Sequence, residues 1–205
     1  KNVKETSDAN IDIILINDGS DDNFDYGNIA QMFHAEYIQH LNGKGVAASR
    51  NEGVLHCKTD FFMFLDAHMR AFTPNWTSIL INELKKDMRA VFCCQTVSID
   101  KNGTITNPRA KGYGVHIDFN NLLCDWNNID PSGMQSVSKI PCIMGASYAS
   151  NKRYWNKIHG LNGLRSYGFD EQLISMKTIL EGGSCKIIKD IVFGHMFRIL
   201  KDVPY

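Results

Sequence analysis

The stretch Phe61-Phe62-Met63-Phe64-Leu65-Asp66-Ala67-His68-Met69 sets an acid and an imidazole two residues apart, directly after an apolar run. Both are metal-ligand types: carboxylate oxygen suits hard divalent cations, and imidazole moves the preference along the transition series. The uncharged run Phe61–Leu65 predicts a fully buried strand of a parallel sheet. Such a strand delivers Asp66 and His68 at its carboxyl end, where open α/β sheets bind ligands. An Asp after a strand also serves as a turn former or helix cap, so the tripeptide alone leaves both readings open.

Other groups with chemical potential fall at similar places. Ile11–Ile16 is a second buried-strand candidate. It stops at Asn17-Asp18-Gly19-Ser20-Asp21-Asp22, which is both turn chemistry and an acidic cluster. Asp18, one spacer past the run, is best placed to point into a crevice. Gly43 and Gly45 open a turn into an Ala-rich helix ending near Cys57, a natural anion cradle. The glycine spacing fits neither a P-loop nor a dinucleotide fingerprint. Arg50 on that helix has the chemistry to meet a phosphate or a structural acid, and by itself reads as a surface salt bridge. Asp170 caps a helix running to Leu180, stopped by Gly182-Gly183. Asp170 and Glu171 therefore share a helix amino terminus, which favours their ionised forms. A final strand, Ile191–Phe193, ends on Gly194-His195-Met196-Phe197-Arg198. His34, His40, His56, His116 and His159 belong to no constellation and read as structural or exposed.

The elements that must position these residues alternate in type. Helices are expected at 23–33, from Thr73-Pro74 to Lys85-Lys86, and at 152–158 after an Asn151 cap. Strands are expected at 36–40, 90–99, near 114–119, in 140–149, and at 185–188. The polar region 104–138 reads as irregular strands and loops able to shape an acceptor site. Strands alternating with helices, with acids or histidines just after strands, imply an α/β domain with a mainly parallel sheet and a site along one edge.

Composition narrows the classes. The chain has 205 residues, one domain by size, with 43% apolar and 21% charged residues. Its 22 basic and 22 acidic residues cancel, so nothing global draws it to nucleic acid or an anionic membrane. No apolar run reaches the roughly 18 residues of a membrane span. The polar start, without an initiator Met, reads as that of an excised or partly ordered piece. The six Cys form no CxxC pair and read as buried thiols, which favours a reducing compartment. Two N-x-S/T sequons, at Asn75 and Asn102, carry little weight in an Asn-rich chain.

Several motifs together carry a family resemblance. IILINDGSDD, the helix form G-x-x-x-S-R-N-x-G from Gly45 to Gly53, and FMFLDAH followed by Trp76 resemble the nucleotide-binding half of a GT-A glycosyltransferase of the family 2 type. Met144-Gly145-Ala146-Ser147, the Tyr167-to-Asp170 segment, the Glu181-Gly182-Gly183 stop and Gly194-His195-Met196-Phe197-Arg198 resemble the polypeptide N-acetylgalactosaminyltransferases. The resemblance covers about residues 11–205. It implies a GT-A, Rossmann-like α/β fold: a mainly parallel sheet flanked by helices, with a small antiparallel region near the acceptor side. One catalytic domain spans 1–205 without the fold's first strand. Residues 1–100 are its nucleotide-binding half and 101–205 its acceptor and metal-completing half.

The resemblance also implies roles. Asp18 binds the uracil or ribose of a UDP-sugar, and Arg50 supports the nucleotide or sugar pocket. Asp66 and His68 bind a divalent metal and touch the donor through it, with His195 as third ligand. Arg198 and Tyr205 contact the diphosphate. Asp170 lies near the transferring sugar. The departures are an Asn17-Asp18 pair in place of two acids, and Asp170-Glu171 where those transferases keep Glu-Asn. An acid pair there is typical of inverting family 2 enzymes, which makes Glu171 the base for inversion and Asp170 the match for retention.

A leaving diphosphate gathers charge that a divalent cation can stabilise without a proton. One Asp with two His suits Mn²⁺ better than Mg²⁺, and would also accept Zn²⁺ with an acid as general base. The expectation is a Mn²⁺-dependent glycosyltransferase, with Mg²⁺ as a second cofactor choice, moving a sugar from a UDP-sugar to a glycan or protein hydroxyl. Its alternatives are an inactive or binding-only GT-A-like module of a larger protein, and a metal-dependent hydrolase. Expected partners are the donor and the acceptor, with no nucleic acid and no transmembrane segment; peripheral membrane association stays open. The unpaired thiols, polar start and short loops favour a bacterial cytoplasm over a Golgi-type lumen.

Overall fold

The computed structural model describes residues 1–165 and 168–197. The core is a seven-stranded sheet organised on two long strands, β5 (Ala90–Ser98) and β11 (Ser184–His195). They pair in parallel, and β-branched and aromatic residues populate both. β10 (Ser147–Asn151) pairs antiparallel with β5 and, on its other side, with β3 (Phe61–Leu65). β4 (Met69–Ala71) closes the other edge, antiparallel to β11. Two short strands, β6 (Lys111–Gly112) and β9 (Val137–Lys139), attach to β5 and β11.

Alternation along β5 sorts its side chains to two cores. Val91 and Cys93 join one face with Tyr148, Trp155, Ile174 and Ile187. Ala90, Phe92 and Cys94 join the other with Trp76, Leu84, Ile191 and Phe193. The first face is covered by α3 (Val46–His56), α5 (Lys152–Lys157) and α6 (Asp170–Leu180). The second is covered by α4 (Trp76–Lys86), whose Trp76, Leu80 and Leu84 form the buried stripe. A short α1 (Asn2–Thr6) docks beside β4, where the Asn2 amide exchanges hydrogen bonds of 2.7 and 3.1 Å with the Ala71 backbone.

Outside this sheet, β1 (Ile14–Asn17) and β2 (Glu36–Gln39) form a parallel pair joined through α2 (Tyr26–Met32). β7 (Val115–Ile117) and β8 (Cys124–Trp126) make an antiparallel ribbon, a small antiparallel region of the kind expected. Among the described residues, no helix is long and apolar enough to cross a membrane.

The α/β class and the helix-flanked sheet agree with expectation, but the pairing is mixed. Among the described residues, only β1–β2 and β5–β11 run parallel. The run Phe61–Leu65 is an edge strand, antiparallel to β10, and each of its residues is partly buried rather than fully. An unbroken apolar run records two packed faces, and Phe61–Leu65 does contribute to both cores; it carries no record of strand direction or sheet position. The two expected strands at 185–188 and 191–193 are one strand with a bulge between Ile188 and Val192. α4 starts at Trp76, two residues after Pro74, behind a left-handed Asn75.

Candidate metal and active site

Three elements converge at the carboxyl end of β3. The Asp66 amide donates to the Ala146 carbonyl at 3.0 Å, which ends β3 against β10. The chain then turns, with the Met69 amide bonded to the Asp66 carbonyl at 3.1 Å, and enters β4. Met69 registers opposite His195 on β11. This pairing brings together histidines that lie 127 residues apart: their Nε2 atoms are 2.8 Å from one another and their rings 4.5 Å between centroids. The Asp66 Oδ2 atom is 3.5 Å from His195 Nε2. One ligand atom from each of Asp66, His68 and His195 falls within 4.8 Å of the others.

This donor set fits a divalent cation. Ligand atoms about 2.1 Å from an ion sit about 3.0–3.4 Å from their neighbours, close to the spacings found here. Two imidazole Nε2 atoms facing each other can both offer lone pairs only to a shared cation; otherwise one must be the donor. The His195 Nδ1 atom is buried without a hydrogen-bond partner, and His195 is only 8% exposed. Phe197 packs edge-on against the His195 ring at 4.2 Å, and Trp126 against Phe197 at 4.6 Å, so aromatic walls close one side.

Behind the metal ligands lies Arg50, on α3. Its Nη2 donates to Asp66 Oδ1 and to the Gly145 carbonyl, each at 3.0 Å. Its Nη1 donates to Asp170 Oδ2 and, at 3.4 Å, to the Tyr148 hydroxyl. The guanidinium also stacks over the rings of Tyr148 and Phe64, at 5.1 and 5.5 Å. It is thus a buried hub, not a surface cation. Burial works against its charge, but Tyr148, Asp170 and Asp66 outweigh it and raise its pKa. Burial likewise pushes the Asp66 carboxyl up, yet the His195 hydrogen bond and the Arg50 charge prevail and hold it below its ordinary value.

Asp170 and Glu171, adjacent in sequence, have different surroundings. Asp170 is buried and held by Arg50. Glu171 folds over Gly145: a Cβ there would meet the Glu171 carboxylate at 2.4–2.5 Å, so only glycine admits this approach. Burial, then the neighbouring Asp170 charge, pushes Glu171 up to about 7. Asp170 is engaged in an ion pair with Arg50, whereas the Glu171 carboxyl has no cation of its own and is raised by its surroundings.

Asp18 lies at the amino terminus of α3. Its Oδ1 accepts from His40 Nδ1 at 2.6 Å and the Lys44 amide at 2.9 Å, and its Oδ2 from the Gly45 amide at 2.8 Å. Gly45 at φ +89° supplies the turn into α3. His40, 5% exposed, spans Asp18 and Glu52, the latter at 2.9 Å. A cavity of about 410 Å³ opens nearby at the ends of β1 and β2, lined by Asn17, Tyr26, Tyr37 and the acids Asp21 and Asp25. Its carboxylates do not suit a diphosphate, and it does not reach the metal ligands.

Of the expected site residues, Arg50, Asp66, His68, Asp170, Glu171 and His195 come together; Asp18 stands apart at the amino terminus of α3. Tyr167, Arg198 and Tyr205 lie outside the described residues. Tyr148, Gly145 and Trp126 were not singled out as site residues from the sequence. Only Gly145 carried a signal, as part of Met144-Gly145-Ala146-Ser147.

The family model described as Glycosyl transferase family 2 matches residues 1–169. The chain belongs to glycosyl transferase family 2. Among curated relatives of this family 2 chain, polypeptide N-acetylgalactosaminyltransferase 11 of Xenopus tropicalis is 24% identical over 209 residues, covering 95% of this chain and 34% of the relative. The inactive polypeptide N-acetylgalactosaminyltransferase-like protein 5 of Mus musculus is 24% identical over 203 residues, covering 92% and 46%. A crystal structure of GalNAc-T7 with UDP, GalNAc and Mn²⁺ superposes with a TM-score of 0.74 at 18% identity, over 92% of this chain and 38% of that one. It shows the fold to be GT-A. The family 2 chain spans about a third to a half of the length of these relatives.

These relatives overturn the bacterial cytoplasmic placement. They are animal polypeptide N-acetylgalactosaminyltransferases and point to a Golgi-type lumen. The thiols misled for a physical reason. Cys93, Cys94, Cys142 and Cys185 are buried in the two cores and act as small apolar side chains, so they report packing and not redox compartment.

Proposed function

We propose that this chain carries the donor-binding and transfer site of a metal-dependent glycosyltransferase, which moves a sugar from a UDP-sugar to a hydroxyl on a glycan or polypeptide. The observation that carries this reading is the convergence of Asp66, His68 and His195 beside a buried Arg50. In this reading Asp66, His68 and His195 hold Mn²⁺, with Mg²⁺ as the second choice. When bound, the cation supplies charge stabilisation to the departing diphosphate. Arg50 aims the Asp66 carboxylate by fixing one of its oxygens, and supports the sugar pocket through Gly145 and Asp170. Glu171 receives the acceptor proton: its carboxyl is the one in the site whose charge is not already committed. Asp18 shapes the nucleoside side of the pocket by ordering the 40–45 turn. Arg198 and Tyr205 are assigned to the diphosphate, residues 1–100 to nucleotide binding, and 101–205 to the acceptor.

The test is turnover of a panel of UDP-sugars, read as UDP release with and without Mn²⁺ and an acceptor peptide. Mn²⁺-dependent release, abolished in Asp66→Asn, is the expected result. Release that persists after chelation, or in that variant, contradicts the metal assignment. A second reading, a donor-binding module without transfer, is favoured by the inactive mouse relative and by the Asp170-Glu171 departure. UDP bound with Mn²⁺ but never released from any UDP-sugar would select it.

A further inference from the structure

The arm formed by residues 1–10 carries none of the groups assigned to the site, yet it holds the strand that delivers one of them. β4 is three residues long and lies at the edge of the sheet. Its bonds to β11 run through alternate residues: the Phe72 amide donates to the Val192 carbonyl at 3.0 Å, and the Met196 amide to the His68 carbonyl at 3.4 Å. By the same alternation Ala71 turns its own N–H and C=O away from β11, off the sheet edge. Ala71 is buried, so both groups need partners within the protein. The Asn2 side chain supplies the two at once. Its Oδ1 accepts from the Ala71 amide at 2.7 Å, and its Nδ2 donates to the Ala71 carbonyl at 3.1 Å. One side-chain amide thus stands where the peptide group of a further strand would be.

Only the length of β4 separates this clamp from the metal ligands. Ala71 registers opposite Phe193 and Met69 opposite His195, and His68 directly precedes Met69. The two histidines do not depend on β4 equally. His195 ends a strand that is paired with β5 from Ser184 onward, whereas His68 is tied to the sheet through the short β4. Loosening β4 therefore moves His68 and leaves His195 in place, and the 2.8 Å approach of their Nε2 atoms is what it would lose.

Asn2 is presented from a fixed base. Lys4 Nζ donates to the Phe33 carbonyl at 2.7 Å, and the Asn75 amide to the Thr6 carbonyl at 2.9 Å. Asp8 Oδ1 accepts from the Ser78 amide at 3.1 Å and so caps α4, whose own N-cap residue Asn75 makes no side-chain bond there. A residue that served only to bury the arm would be apolar, like its neighbour Val3, which packs against the second core. An amide is required where a donor and an acceptor are needed side by side.

We propose that Asn2 is a positioning residue for the metal site: by fixing Ala71 it holds β4 in register on β11 and keeps His68 within reach of the ion that His195 shares. The presence of that ion rests on the reading given above; the hold of Asn2 on the histidine pair does not.

The test is calorimetric titration of Mn²⁺ into the full chain, with the contact between the His68 and His195 rings followed by NMR in the metal-free protein. Asn2→Ala should weaken Mn²⁺ about tenfold, the lower end of what supporting groups cost a metal site, and should weaken the ring contact. Asp8→Ala loosens the same arm at α4, away from β4; it should lower the melting temperature by as much and leave both readouts at wild-type level. Asn2→Asp keeps an acceptor for the Ala71 amide and loses the donor, so it should fall between wild type and Asn2→Ala, and it decides the matter if Asn2→Ala does not fold. An Asn2 variant with wild-type Mn²⁺ affinity, or with the ring contact intact, overturns the proposal. Equal losses in Asp8→Ala also overturn it, in favour of a general loosening of the fold. If wild type takes up no Mn²⁺, the metal reading falls and the ring contact alone decides: its loss in Asn2→Ala sustains the positioning role, and its persistence overturns it.

Discussion

Helix α3 carries two charged clusters, one around Asp18 at its amino terminus and one around Arg50 along its length, and the clusters are finished to different degrees. At the amino end, Asp18, His40, Glu52 and the Lys44 and Gly45 amides satisfy one another. The carboxylate lone pairs point at donors, the imidazole bonds through both nitrogens, and Lys44 closes the group on Glu52 at 2.9 Å. Arg50 also gathers several partners, but its cluster does not close. His68 and His195 face each other through the same nitrogen, His195 Nδ1 has no partner, and Glu171 is driven toward its neutral form. A completed network stabilises a fold; a ring nitrogen left short of a partner beside two other ligand-type groups marks where a ligand is expected. The difference assigns the Asp18 cluster to scaffolding and the Arg50 cluster to chemistry.

The sharpest way to break that contrast is to remove its shared cation. Arg50→Ala leaves Asp66 and Asp170 without their counter-charge, and breaking a buried pair costs about 3–5 kcal/mol. Urea unfolding should show that loss, and a change under 1 kcal/mol would return Arg50 to the status of a surface salt bridge.

Glu171 gives the next effect, with a definite sign. Its folded carboxyl is raised from an ordinary 4.5 to about 7, so the native state prefers the protonated form. For an acid shifted upward, the stabilisation is complete below the unfolded value and is lost as pH rises from 4.5 to about 7. Glu171→Gln should flatten that decline and be more stable than wild type at pH 8 by on the order of 3 kcal/mol. It should also abolish the acid limb of the rate profile. A pH–stability curve parallel to wild type would mean that the fold does not raise the Glu171 carboxyl.

Asp18→Asn is the smallest perturbation and tests the scaffolding half. Loss of a charge-assisted cap over the Lys44 and Gly45 amides should cost about 1–2 kcal/mol, with kcat changed little and KM raised if the 40–45 turn shapes the donor pocket. A loss of kcat with stability intact would move Asp18 from scaffold to chemistry.

The sequence made half of this contrast visible. Asp66 and His68 could be read from an apolar run that stops on them, and the Gly-rich turn into α3 from its glycines. His195 became a ligand only through resemblance, because its nearness to His68 is created by the β4–β11 register, which no local pattern encodes. Arg50 looked like a surface cation for the same reason: Gly145, Tyr148 and Asp170 lie from 95 to 120 residues away. The polar α1 went unread because it is held by Asn2 against Ala71 and not by an apolar stripe. β3 announced its burial but not its place, since an apolar run looks alike at a sheet's edge and at its centre.

The most direct test of the central claim is calorimetric titration of Mn²⁺, alone and with UDP, into wild type and His195→Ala. One site per chain is predicted, tightened by UDP and weakened at least about 100-fold in the variant, as loss of a direct ligand should exceed the 10–100-fold cost of losing a supporting residue. Equal Mn²⁺ affinity in the two proteins would contradict it, leaving Asp66 and His68 as the end of a strand and His195 as their neighbour by register alone.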